Sequence, residues 1–144
     1  MIIPQVILEM KARNKQEAIN ELADLLLQNG KISDKDIYTK DILSREENMS
    51  TYCGYGVAIP HSVSSVVNEA AFAFGRSSGM VWDENDEPVQ FVMLLAIPQL
   101  KEGEDSVHIE MMSSIATLAL EDEIRITWSQ AKTIDEIIDT FKNQ

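Results

Sequence analysis

The run Val89-Gln90-Phe91-Val92-Met93-Leu94-Leu95-Ala96-Ile97 constrains the fold more than any other part of the chain. It is almost continuously apolar, it has the length of a strand, and Pro98 stops it. A strand of that composition has no face suited to water, so it takes a central place in a sheet covered on both sides. The flanking sequence must then supply the cover.

Helical and extended segments alternate around this run. Val6 to Met10 reads as a first strand. Asn14 with Glu17 has the spacing of a capping box, and Ala18, Ile19, Leu22, Ala23, Leu25 and Leu26 follow it at helical period. Asn29-Gly30 is a C-cap pair. Ser33 with Asp36 is expected to open a second helix through Ile37, Ile42 and Leu43, with Arg45 in its last turn, where a cation suits the helix dipole. Val57-Ala58-Ile59 reads as a short buried strand. Ala70 to Phe74 and Met80 to Trp82 read as two strands split by Ser78-Gly79, and Asp83 to Asp86 as an exposed turn. After a loop from Pro98 to Asp105, a helix is expected from about Ser106 to Leu120. Thr133 with Glu136 opens a closing helix that carries Ile134, Ile137, Ile138 and Phe141. The interleaving predicts an α/β class: a single domain, residues 1–144, with a mixed β-sheet flanked by helices on both faces.

Bulk properties narrow the function. The chain has 144 residues, 44% of them hydrophobic, which suits one globular domain, and no Pro/Gly/Ser linker divides it. No window has the length of a membrane span and the N-terminus lacks a signal pattern, so no membrane insertion and a cytoplasmic location are expected. The single cysteine can form no internal disulfide. A formal net charge of -12 disfavours nucleic acid and anionic membrane surfaces and favours a basic protein partner. The plain alternative is that the acid only keeps the protein soluble.

Two histidines carry the chemistry worth weighing. His61 follows Val57 to Pro60 at the point where the chain is expected to leave the sheet, a common place for ligand sites in α/β proteins, and Pro60 restrains the backbone before it. Imidazole is neutral and nucleophilic near pH 7. The competing reading is a ring hydrogen-bonded at the edge of the core. His108 falls in the first turn of the helix after Asp105, where unpaired N–H groups attract anions. It could equally be a solvated helix-end residue. Arg45 offers either a planar fork for phosphate oxygens or a simple helix-end cation paired with Glu46 or Asp41. Two histidines and one cysteine at these spacings make no zinc site. Cys53 has no thiol-enzyme signature around it and is expected to be a buried apolar residue. Gly54-Tyr55-Gly56 is too short for a phosphate-cradling loop.

Arg45-Glu46, Ser50-Thr51 and Gly56-Val57-Ala58-Ile59-Pro60-His61 together resemble the signature of the fructose/mannitol-type (type 2) enzyme IIA domains of the bacterial phosphotransferase system. The likeness continues through the Val89 strand, the His108 helix and the Thr133 to Phe141 helix, so it spans essentially the whole chain. Thr51-Tyr52-Cys53-Gly54 is similar to the mannitol-like branch, and Trp82-Asp83 looks more fructose-like. The resemblance implies that His61 is phosphorylated, that His108 supports it and that Arg45 helps to hold the phosphoryl group. Thr51 and Ser62 are further candidate phosphate contacts. It implies the phosphocarrier protein HPr as donor and the EIIB component as acceptor, with no cofactor, because the donor phosphohistidine is already activated. Nitrogen-type relatives imply an alternative, a regulatory module whose phosphorylation state controls partner binding.

Overall fold

A computed structural model describes residues 3–83, 87–99 and 105–142, with side chains described throughout except at 105–109. Its strands are β1 (Gln5–Ile7), β2 (Tyr52–Gly54), β3 (Val57–Ala58), β4 (His61–Ser64), β5 (Ala71–Met80) and β6 (Val89–Pro98). Its helices are α1 (Lys15–Gln28), α2 (Lys35–Asn48), α3 (Asp105–Ala119), α4 (Asp122–Gln130) and α5 (Ile134–Lys142). The six strands form one sheet in the order β1-β5-β6-β3-β2, with β4 also on β6. β5 runs antiparallel to β6, whereas β3 and β4 run parallel to it, so the sheet is mixed. The apolar run becomes β6 and lies in the interior of the sheet, as its composition requires.

Alternation along β5 and β6 divides the core in two. Ala71, Ala73, Val92, Leu94 and Ala96 face one layer with Ala18, Ile19, Leu22, Leu26, Tyr38 and Ile42 from α1 and α2. Phe72, Phe74, Phe91, Met93 and Leu95 face the other, with Ile115, Leu118, Trp128, Ile137 and Phe141 from α3, α4 and α5. The expected mixed sheet with helices on both faces is therefore what forms. On the aromatic side Trp128 stacks on Phe141 at 5.7 Å and meets Phe74 edge-on at 5.1 Å, while its Nε1–H donates to Thr140 Oγ1 at 2.9 Å. Among the described residues no helix is long and apolar enough to cross a membrane.

The helix ends follow their local chemistry. Asn14 Oδ1 accepts from Glu17 N at 2.9 Å, and the Glu17 carboxylate reaches back to Arg13 N at 3.1 Å. At the other end Gly30 N bonds Leu27 O and Lys31 N bonds Leu26 O, a Schellman closure that needs the positive φ of Gly30, 73°. α2 differs from expectation. Asp34, not Ser33, is its cap and accepts from Ile37 N at 3.0 Å; Ser33 is drawn away to Val66 O. Its buried stripe is Tyr38, Thr39, Ile42 and Glu46, leaving Ile37 exposed.

Other differences lie in the strands and in one helix. Ser78-Gly79 does not split two strands: β5 continues to Met80, and the register slips between Arg76 and Met80. Ser77 Oγ makes this possible by donating to Val89 O at 2.9 Å and accepting from Gly79 N at 3.1 Å. α4 was not expected; its first residue follows Glu121, which caps it with no side-chain hydrogen bond. Most of the turn expected at Asp83 to Asp86, and most of the loop from Pro98 to Asp105, lie outside the described residues.

Candidate functional site

The site grows from β6. β3 pairs with it through Ala58 and Val92, and β4 through His61 and Leu95, at an identical residue offset. Ile59-Pro60 therefore interrupts a ladder whose register resumes unchanged. Proline lacks the N–H a rung needs, but its carbonyl still accepts from Leu95 N at 2.9 Å. His61 does not leave the sheet, as the sequence suggested; it opens β4.

The half-buried His61 ring is held at both nitrogens. Nδ1 lies 2.8 Å from Ile59 O. A carbonyl oxygen only accepts, so Nδ1 carries the proton and Nε2 keeps its lone pair. Arg45 Nε–H, from the last turn of α2, donates to Nε2 at 3.2 Å. The His61 pKa is lowered from its ordinary value, chiefly by burial of the ring and then by the charge of Arg45, against the opposing pull of the Ile59 carbonyl and Glu46. A neutral imidazole with a defined nucleophilic nitrogen results.

Glu46 follows Arg45 in the chain but turns into the protein. It is 6% exposed. Its carboxylate accepts from Thr51 N at 3.2 Å and from Thr51 Oγ1, and it pairs with Lys15 Nζ at 3.2 Å. Lys15 also bridges to Asp83 at 2.7 Å, and Asp83 accepts from Ser50 Oγ. The Lys15 pKa is raised: burial pulls it down, but hydrogen bonding to Asp83 and the Glu46 charge outweigh that.

Of the residues singled out from sequence, the fold joins Arg45 and His61 directly. Thr51 lies one step away, and its hydroxyl is engaged by Glu46. Ser62 is half-buried on β4, and its hydroxyl makes a 3.3 Å contact to Val63 O. His108 falls in the first turn of α3 as expected, and its side chain lies outside the described residues. Cys53 is exposed, not buried, and donates to Thr51 O at 3.3 Å; desolvation of its sulfur and the Glu46 carboxylate push its pKa up, which disfavours a thiolate. Sequence reasoning gave Glu46 no role of its own. The signal was its spacing: Tyr38, Ile42 and Glu46 recur every four residues, which places a carboxylate on a buried stripe.

Fold and site define a small α/β domain that presents one neutral imidazole nitrogen beside an exposed guanidinium. The chain belongs to the family described as phosphoenolpyruvate-dependent sugar phosphotransferase system, EIIA 2, whose family model matches residues 3–144. It is 36% identical over 134 residues to the PTS system fructose-specific EIIABC component of Bacillus subtilis (strain 168), covering 92% of this chain and 21% of that protein. The chain thus spans about a fifth of that relative's length. In structure it is similar to nitrogen regulatory protein IIA-Ntr from Neisseria meningitidis, with a TM-score of 0.82 and 25% identity over 94% of this chain and 92% of that one. It shares its fold with enzyme IIAMTL or its partner as solved in the complex of enzyme IIAMTL and phosphorylated enzyme IIBMTL from Escherichia coli, at a TM-score of 0.80 and 21% identity, covering 97% and 95%.

Proposed function

We propose that this chain is the phosphoryl carrier of a sugar phosphotransferase system of the fructose/mannitol class. His61 Nε2 takes the phosphoryl group from phosphorylated HPr and passes it to an EIIB component. The observation that carries this reading is the pair of contacts on one ring, Nδ1 to Ile59 O at 2.8 Å and Nε2 to Arg45 Nε at 3.2 Å. The first leaves the lone pair on Nε2. The second puts a cation where a phosphoryl group on that nitrogen would lie.

The transfer is a displacement at phosphorus. The Nε2 lone pair forms a new N–P bond as the donor's N–P bond breaks, and the departing imidazole takes the bonding electrons. Such a step needs in-line approach and charge stabilisation more than proton transfer. Arg45 is exposed, so its guanidinium can turn from the ring nitrogen to the phosphoryl oxygens at little packing cost. His108, in the first turn of α3, and Ser62 are further candidate donors. In the second step the acceptor of EIIB attacks the same phosphorus from the opposite side, and His61 leaves as neutral imidazole.

Incubation with phosphorylated HPr, followed by mapping of the acid-labile phosphate, is the test. We expect one phosphate, on His61, and none on His61→Ala. A phosphate retained by that variant would overturn the assignment. The likeness to a nitrogen regulatory protein keeps a second reading, in which phosphorylation switches partner binding. Reconstitution with an EIIB component and its permease separates the two: sugar phosphorylation supports the carrier, and a phosphorylated chain that drives none supports the switch.

A further inference from the structure

Among the described residues, Glu46, Lys15, Asp83 and Thr51 form a charged cluster that the transfer step itself does not use. Lys15, from the first turn of α1, pairs with a carboxylate at the end of α2, 31 residues further along the chain. Both oxygens of that carboxylate also accept from Thr51, one from its backbone N–H and one from its hydroxyl. A buried carboxylate needs such partners, because an unpaired one would be costly. The choice of Thr51 is informative, since Thr51 O in turn accepts from Ile59 N at 3.1 Å. Ile59 O is the group that fixes the proton of His61 on Nδ1. Pro60 follows at once, so the peptide that carries this carbonyl has no N–H and no rung of its own on that side. Two grips flank it: Leu95 N–H on Pro60 O beyond, and Thr51 O on Ile59 N before.

We propose that Glu46, with Lys15 as its counter-ion, is a positioning residue that acts through Thr51 and Ile59 to hold the His61 proton on Nδ1 and so leave Nε2 as the reacting nitrogen. The inference deepens the carrier reading above and rests on it for its meaning in transfer. Arg45 and Glu46 then divide one task between adjacent positions of α2. The arginine reaches outward to the reacting nitrogen. The glutamate reaches inward and selects which nitrogen that is. Being consecutive on a helix, the two side chains diverge by about 100° around its axis, which suits opposite errands.

The tautomer can be read directly, with no phosphoryl donor present. In the full chain, nitrogen-15 NMR of the His61 ring is expected to show the Nδ1–H form alone at neutral pH. Thr51→Val removes the hydroxyl, keeps the β-branched shape and should shift the ring to a mixture in which the Nε2–H form is detectable. Thr51→Ser restores the hydroxyl and should restore the single form. Glu46→Gln should shift the ring as Thr51→Val does; should it not fold, as judged by a thermal melt, the threonine pair decides alone. The rate of transfer from phosphorylated HPr should fall in step with the lost Nδ1–H fraction and by misorientation of the ring, up to about a hundredfold, with the KM for the carrier little changed. A wild-type ring spectrum in folded Thr51→Val overturns the proposal. Failure of the carrier reading looks different: the ring would respond as described, yet no phosphate would appear on His61.

Discussion

Burial and the Arg45 charge hold the folded-state pKa of His61 below its usual 6.5. Between the two values the unfolded chain binds the extra proton. The contribution of this ring to stability is therefore fully present above pH 6.5 and is lost as pH falls through the folded pKa. Arg45→Ala removes one of the two lowering causes, so the His61 titration, followed by NMR, should move upward. Transfer at mildly acidic pH should then slow, as more of the ring is protonated and cannot attack. An unmoved titration would mean that the guanidinium does not sit at the ring in solution. Arg45 and His61 were legible in the chain as types: a planar cation at a helix end, and a neutral nucleophile after a short apolar strand. Their contact was not, because it depends on α2 packing against β4, two elements that meet only in the folded chain. The role proposed for Glu46 lies still further out of reach, since its counter-ion comes from another helix.

Among the elements, those written in a single local pattern were read from the sequence, and those that depend on neighbours were not. Asn14, Gly30 and the apolar run of β6 each state their structure within a few residues. Tyr52–Gly54 and His61–Ser64 contain too few residues to show a period, and they become strands only because they border neighbours in the sheet. Ser78-Gly79 looks like a turn and predicts a break in β5, yet the Ser77 hydroxyl, bridging two backbone groups, turns it into an irregularity inside one strand. The same strand holds a close approach. A Cβ placed on Gly75 would overlap Met10 Sδ, and Met10 N is itself fixed to Arg76 O at 2.9 Å. Gly75→Ala should therefore cost about 1–3 kcal/mol in urea unfolding, the usual range for an overfilled site. The penalty should shrink in a Met10→Ala background. An equal penalty in both backgrounds would place the strain elsewhere.

For the molecule as a whole, the charge of -12 and the exposed guanidinium act at different ranges. At physiological salt the Debye length is ~8 Å, so distant carboxylates are largely screened from a phosphoryl group on His61, the position proposed above, where Arg45 stands 3.2 Å from the ring nitrogen. They still shape the long-range field that a basic carrier meets. Encounter with such a carrier, followed by stopped-flow mixing, should slow about tenfold or more as ionic strength rises toward ~1 M, where the Debye length is ~3 Å. A rate indifferent to salt would assign the acid to solubility alone. Leu95 links the two sides of the site. Its carbonyl accepts from the buried Tyr38 hydroxyl at 2.9 Å, which anchors α2, and the same residue is the rung opposite His61. Guanidinium and imidazole are thus both gauged from one residue of the central strand, as two jaws are set from one beam. Leu95 also sends its side chain into the aromatic layer beneath, so a cavity opened there reaches both jaws through the one beam that sets them.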